Sequence, residues 1–295
     1  MSAGDDRWTA AFAAAQEFNA PDILGNTPLK LFIRHPDKPR IGLILGSGWG
    51  DAIALEPLHD QPLEKIPGFE DLAQLTRIKG HPQRIQIASI ADHDVIVLRG
   101  RIHLNEAPNN PDVARMARLQ IEMLDCLGVN VLIATCAVGS LSNDFNDDSL
   151  AQPFHVGDIA AIDGLVTLFA PDMPLWGGEF CSPEDSLDSG LVQLAEEECG
   201  ESLIVRRGAY AMVRGPQFES RKHDKNILHG MGADVVGMSI LPEACIAALY
   251  NMRMLALGFV TNGPDEAHDH ETNVARVRVA APHLADYLAR IIARI

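Results

Sequence analysis

Positive charge is scarce in this sequence: 24 Lys and Arg stand against 40 Asp and Glu over 295 residues, a formal net charge of −16. Nucleic-acid backbones are gripped mainly by clustered Lys and Arg, so this balance argues against a nucleic-acid partner. It leaves small anions open, because charges more than about 8 Å apart are largely screened at physiological salt and a locally cationic pocket can oppose the overall field. Paired cysteines are missing too. Cys126, Cys136, Cys181, Cys199 and Cys245 form an odd set without a CxxC, which fits a reducing compartment better than a disulfide framework. The segment Met1 to Arg7 lacks the basic region and apolar core of a secretory signal, and Asn251 and Arg253 interrupt the best late apolar stretch. The expectation is a soluble cytoplasmic protein with no membrane partner. With 47% hydrophobic and 22% charged residues, the chain can bury a large core, which excludes wholesale disorder.

What the sequence does contain is an alternation of strand and helix signals. Residues 9–19 read as a short N-terminal helix, and Ile41 to Leu45 as a buried strand running into Gly46-Ser47-Gly48-Trp49-Gly50. Period-two alternation over 84–90, a turn at 91–94 and a return over 95–98 predict a hairpin. Asn110-Pro111-Asp112 caps a helix lasting to Gly128, and Val131 to Ala134 form the next strand, ending at 135–140. Residues 143–152 read as a polar, acidic excursion, 156–162 as a return to the sheet, and 170–185 as a loop rich in Pro and Gly. Arg253 to Thr261 is expected as a last core strand, and Glu271 to Ile295 as a closing helix. Without a repeat or linker, the reading is one α/β domain over 1–295, a mixed twisted sheet flanked by helices, with 1–40 as an N-terminal helix and extension.

Between Gly208 and Asn262 an apolar run twice breaks into polar groups before a new helical segment. The first run, 209–213, leads to Gly215-Pro216-Gln217-Phe218-Glu219-Ser220; the second, 233–239, ends in Ser239 before Leu241-Pro242-Glu243. Ligands of open α/β sheets collect beyond the carboxyl ends of strands, so Glu219 and Ser239 are expected to face one crevice. The turn 46–50 fails as a dinucleotide fingerprint, since position 51 is Asp, and fails as a P-loop for want of Lys-Ser/Thr. Its backbone N–H groups and the Ser47 hydroxyl still suit a single phosphate, or else it is merely a tight strand-to-helix turn. Gly80-His81 precedes one hairpin strand and Arg99-Gly100-Arg101-Ile102-His103-Leu104-Asn105 follows the other. Arg101 is suited to bidentate phosphate binding, and Arg101, His103 and Asn105 would share a face if the strand continued.

These blocks, together with 137–141, Phe154-His155-Val156-Gly157-Asp158, 232–239 and Thr261-Asn262, resemble the trimeric, mammalian-like purine nucleoside phosphorylase family from about Ile41 to Val274. The resemblance implies phosphorolysis of purine nucleosides, chiefly 6-oxopurines, to base and pentose 1-phosphate in purine salvage, with inorganic phosphate as co-substrate and neither metal nor organic cofactor. By motif it places Ser47, His81, Arg101, His103, the backbone at Ala137, and Ser239 around phosphate. Glu219 and Asn262 would hold the base and serve catalysis, while Asn105, Phe218, Val236, Met238 and His270 would line the nucleoside, His268 competing with His270. It also implies a homotrimer in which a neighbour's aromatic closes the site, with Phe180 as the candidate.

The pattern is not followed throughout. Asn105 stands where the family has Tyr, Cys136 replaces Asn before Ala137, Val138 and Ser140 depart from Ala-Gly-Gly, and Gly263 replaces a Lys after the base-binding Asn. Arg214 is an added cation before Gly215, and the segment around 176–182 is shortened. These departures keep two alternatives open, a noncatalytic nucleoside-binding relative and a phosphate-independent nucleosidase.

Overall fold

The structure, a computed structural model, describes residues 10–11, 13–16, 39–53, 55–75, 78, 81–141, 153–215, 218, 220, 223–266 and 269–295. Its strands are β1 (Ile41–Leu45), β2 (Pro57–Pro62), β3 (Arg84–Ile90), β4 (His93–Arg99), β5 (Val131–Ser140), β6 (Ile159–Val166), β7 (Val205–Met212), β8 (Val235–Gly237) and β9 (Arg253–Asn262). The helices are α1 (Trp49–Ala52), α2 (Pro111–Cys126), α3 (Ser189–Glu197), α4 (Asp224–Gly230), α5 (Leu241–Leu249) and α6 (His270–Arg294). Residues 10–11 and 13–16 are helical, in line with the N-terminal expectation. The excursion at 143–152 lies outside the described residues.

One mixed sheet runs β2-β3-β4-β1-β5-β8-β7-β6-β9, and a further parallel pairing of β5 with β9 closes the last five strands into a ring. Helices cover both faces, so the central strands are apolar at successive positions. On β1, Leu43 and Leu45 pack with Leu284, Tyr287 and Ile291 of α6, whereas Ile44 faces the cluster containing Met116 and Leu124 of α2. The hairpin reverses through Ala91 and Asp92, both at positive φ (50° and 62°), the turn hand that matches strand twist. Asn110 caps α2 by accepting from Asp112 N at 2.9 Å, with Pro111 in the first turn, as the sequence predicts.

The structure departs from the sequence reading where the site is built. β5 does not stop at Ala134 but continues to Ser140, because β9 pairs with it from Val131 to Gly139. On its other edge β5 pairs with β1 up to Ala134 and with β8 from Gly139, so residues 135–138 lie in the fork between diverging strands. Side chains take over backbone bonding there. Thr135 Oγ accepts from Gly46 N and donates to Ile44 O, Trp49 Nε1 donates to Cys136 O, and Arg101 Nη2 donates to Thr135 O. β4 ends at Arg99, since Gly100 turns at φ 77°, so no strand continues through 101–105. β2 and α3 went unread: β2 is a largely exposed edge strand bounded by prolines, and the nine-residue α3 starts from an Asp188 cap. Among the described residues, no helix is long and apolar enough to cross a membrane.

Candidate active site

The fork opens into a cavity of about 150 Å³ at the carboxyl ends of β1, β5, β8 and β9. One half is the turn after β1. Gly46 admits no side chain, because a Cβ there would stand 2.3 Å from Thr135 O and 2.7 Å from Arg101 Nη1. The turn therefore rests directly on the guanidinium, and Ser47 faces the cavity. Ser47 Oγ meets His81 Nε2 at 2.9 Å. His81 Nδ1 lies 3.0 Å from the Arg101 N–H and 3.1 Å from the Arg101 carbonyl, so the ring accepts from the one or donates to the other according to its tautomer. In the tautomer protonated at Nε2, His81 donates to Ser47 and leaves the serine proton to point at a ligand. Burial, the Arg101 charge and nearby His270 hold His81 down at about 3; burial, His81 and Arg101 do the same for His103. Both rings are neutral at physiological pH.

Arg101 itself is 2% exposed and ion-paired through Nε to Glu243 Oε1 at 2.5 Å, with Glu243 1% exposed in the first turn of α5. It stands behind the cavity lining, as does His81, while His103 and Asn105 line it. The expected common face of Arg101, His103 and Asn105 is thus corrected: the Gly100 turn sends Arg101 inward and leaves the other two at the surface of the pocket.

Ser239, which also lines the cavity, is held by its backbone. The Tyr210 hydroxyl donates to Ser239 O at 2.8 Å and accepts from Ser239 N at 3.0 Å, clamping both peptide groups. Burial drives this phenol's pKa well up, so it remains a donor. Ile240 then takes φ 72°, with Leu241 N bonded back to Ser239 O at 2.8 Å. Such a γ-turn at a β-branched residue is strained by roughly 1–3 kcal/mol and persists only where its surroundings enforce it. The Cys136 thiol bonds the Ser239 side chain and is pushed up to about 12, chiefly by burial, so it is neutral.

Phe218, Val236, Met238, Asn262 and His270 also line the cavity. Asn262, 4% exposed at the end of β9, has Oδ1 at 3.2 Å from Thr261 Oγ, which also reaches Val138 O at 3.2 Å. Asn105 Nδ2 donates to Met238 Sδ at 3.2 Å. His270 begins α6, capped by Asp269 accepting from Thr272 N at 2.7 Å.

The cavity therefore gathers Ser47, His103, Asn105, Ala137, Phe218, Val236, Met238, Ser239, Asn262 and His270 from separated blocks of sequence. Glu219 and His268 lie outside the described residues. Phe180 is 92% exposed and does not line this cavity. Sequence reasoning missed the supporting groups Thr135, Tyr210 and Thr261: a Thr or Tyr inside an apolar strand reads as core, and its partners are distant in sequence. Among the described residues no group of three or more His, Cys, Asp or Glu is placed to hold a metal.

The profile of the Phosphorylase superfamily matches residues 40–293. The chain is 30% identical over 229 residues to purine nucleoside phosphorylase 1 of Bacillus subtilis, covering 77% of this chain and 80% of that one. It is 28% identical over 252 residues to the Mus musculus purine nucleoside phosphorylase, covering 83% of each. Schistosoma mansoni purine nucleoside phosphorylase, solved with inosine, superposes with a TM-score of 0.74 at 26% identity over 97% of this chain and 96% of that one. A Schistosoma mansoni purine nucleoside phosphorylase solved with adenosine superposes with a TM-score of 0.73 at 25% identity over 97% of both chains.

Proposed function

The chain belongs to the phosphorylase superfamily, among the purine nucleoside phosphorylases, and from that premise we propose that it cleaves 6-oxopurine nucleosides with inorganic phosphate to free base and pentose 1-phosphate. The observation that carries this reading is the convergence of hydroxyls, a peptide edge and an amide on one cavity, lined by Ser47, Ala137, Ser239, Asn262 and Phe218. Breaking a glycosidic bond leaves positive charge on the sugar and negative charge on the base. Phosphate, held by Ser47, Ser239 and the backbone at Ala137, sits next to the developing cation and attacks it. His81 orients Ser47, His103 adds a neutral imidazole, and Arg101 lies beneath the turn. On the base side the Asn262 amide hydrogen-bonds the purine as electron density builds on its five-membered ring, and the Glu219 carboxylate accepts from a ring N–H. Phe218 and Val236 wall the base, and Met238, Asn105 and His270 flank the sugar. Preorganised polar groups of this sort usually supply the main catalytic contribution, so no metal, organic cofactor or covalent nucleophile is called for.

A second reading, hydrolysis by water, draws on one observation: the Arg101 charge is already matched by Glu243, which leaves the phosphate end poor in net positive charge. Purified protein given inosine or guanosine, with and without phosphate, separates the two. Phosphorolysis yields pentose 1-phosphate and requires phosphate; equal base release in its absence identifies a nucleosidase, and ligand binding without turnover a noncatalytic relative.

Assembly as a homotrimer and residence in the cytoplasm complete the proposal. The exposed Leu168, Phe169 and Phe180, flanking the loop after β6, support self-association. Light scattering tests it, and a fully active monomer would overturn it.

A further inference from the structure

Lys225 is 1% exposed, in the first turn of α4, and its ammonium donates to Pro264 O at 2.8 Å, Glu266 O at 3.1 Å and Gly263 O at 3.3 Å. A buried ammonium is tolerated only when hydrogen bonds replace its hydration, and three carbonyls of one turn do so here. That turn begins directly after Asn262. It is closed internally by Glu266 N on Gly263 O and by Gly263 N on the Glu266 carboxylate, both at 3.2 Å. A second cation grips it from the other side: Arg276 of α6 meets Glu266 at 2.7 Å and also donates to Thr261 O. The residues flanking Asn262 are thus held between two helices.

Each helix connects to a different part of the cavity. α4 follows the segment that carries Phe218, and α6 begins at His270, both cavity-lining residues. Position 263 is itself a glycine and brings no cation to this turn. The structure brings a lysine to the same turn from elsewhere, onto its carbonyls.

We propose that Lys225 is a positioning residue that sets the separation of the Phe218 and Asn262 walls and thereby the purine-binding half of the site. This deepens the phosphorolysis reading and rests on it. Ser47, Ala137 and Ser239 are held by other contacts, through His81, β9 and Tyr210, so the phosphate half does not depend on Lys225.

The test compares the unaltered chain with Lys225→Met and Lys225→Arg, using inosine turnover at varied phosphate together with calorimetric titration of hypoxanthine and of inorganic phosphate. Displacing a reacting partner by about 1 Å can cost about 100-fold. Lys225→Met is expected to lower kcat/KM for inosine by about that factor, with phosphate affinity within about twofold, since well-separated contacts act independently. Lys225→Arg, which keeps the donors but is bulkier, is expected to fall between the two. If the Met variant fails to fold, the Arg variant decides by the same split. Unchanged inosine and hypoxanthine constants, or equal losses on both halves, would overturn the proposal. Hypoxanthine binding reads Lys225 even without turnover, so absence of phosphorolysis by the unaltered chain counts against the function and not against this role.

Discussion

Ser47 Oγ and His81 Nε2 meet at 2.9 Å, while the other ring nitrogen, Nδ1, rests on the Arg101 backbone, 3.0 Å from its N–H and 3.1 Å from its carbonyl. With Nδ1 accepting from that N–H, the ring donates to Ser47 and the serine hydroxyl is left to donate to phosphate. Ser47→Ala should raise the phosphate KM by about 10- to 100-fold, the equivalent of roughly 1.5–3 kcal/mol for a hydrogen bond to a charged acceptor. His81→Ala should produce a defect of the same kind, and the double variant should be little worse than either, since the two act as one unit. Additive losses measured by steady-state kinetics at varied phosphate would mean that His81 contacts phosphate independently.

Much of this arrangement is legible in the sequence because chemistry and punctuation coincide: Gly46, Ser47 and Gly48 end a strand, Asn262 ends another, and Ser239 precedes a Pro-containing helix start. The fork in β5 is not legible. Thr135 and Cys136 read as the end of a buried strand, and only the divergence of β1 from β8 reveals that their carbonyls need Arg101 and Trp49. Nor does an Arg after Gly100 announce whether it faces solvent, phosphate or Glu243. That choice is made by α5, which lies 142 positions away in the chain.

The Arg101–Glu243 pair suggests an asymmetry in stability. Both side chains are buried, so Glu243→Gln leaves a cation without its counter-charge and should destabilise the fold by about 3–5 kcal/mol. Urea unfolding measures this, and a loss below about 1 kcal/mol, the scale of an exposed pair, would contradict it. Arg101→Ala should additionally weaken phosphate more than nucleoside, if the guanidinium beneath the Gly46 turn contributes its charge to the anion.

The neutral histidines predict acid sensitivity. His81 and His103 are held at about 3 in the fold, chiefly by burial, against an ordinary value of 6.5. Lowered values mean that the unfolded chain binds more protons, so their contribution to stability is present above pH 6.5 and is lost as pH falls from 6.5 toward 3. Each histidine adds a slope of at most about 1.4 kcal/mol per pH unit in that window. His103→Gln should flatten the dependence of unfolding free energy on pH by up to one such slope between pH 6 and 4. An unchanged slope would show that His103 protonates freely in the fold.

Base preference should be set where Thr261 meets Asn262. The single Thr261 hydroxyl proton is shared between Val138 O and Asn262 Oδ1, each at 3.2 Å, and this contact biases the amide toward presenting Nδ2 to the cavity. An oxopurine offers a carbonyl acceptor to that donor, whereas adenine offers an amino donor, and the mismatch leaves a buried group unpaired. Inosine and guanosine should therefore be cleaved well ahead of adenosine. Thr261→Val keeps the side-chain volume but removes the hydroxyl, which frees the amide to turn over and should narrow the inosine-to-adenosine ratio of kcat/KM by about tenfold, the scale of one net hydrogen bond. Asn262→Asp should narrow it as well, because a protonated carboxyl can donate to the imidazole nitrogen of an aminopurine. Nothing lies within 4 Å of a Cβ placed on Gly263, so Gly263→Lys should be tolerated by the fold. Comparable kcat/KM for adenosine and inosine in the unaltered protein would sink the oxopurine assignment, and an unchanged ratio in Thr261→Val would remove Thr261 from its origin.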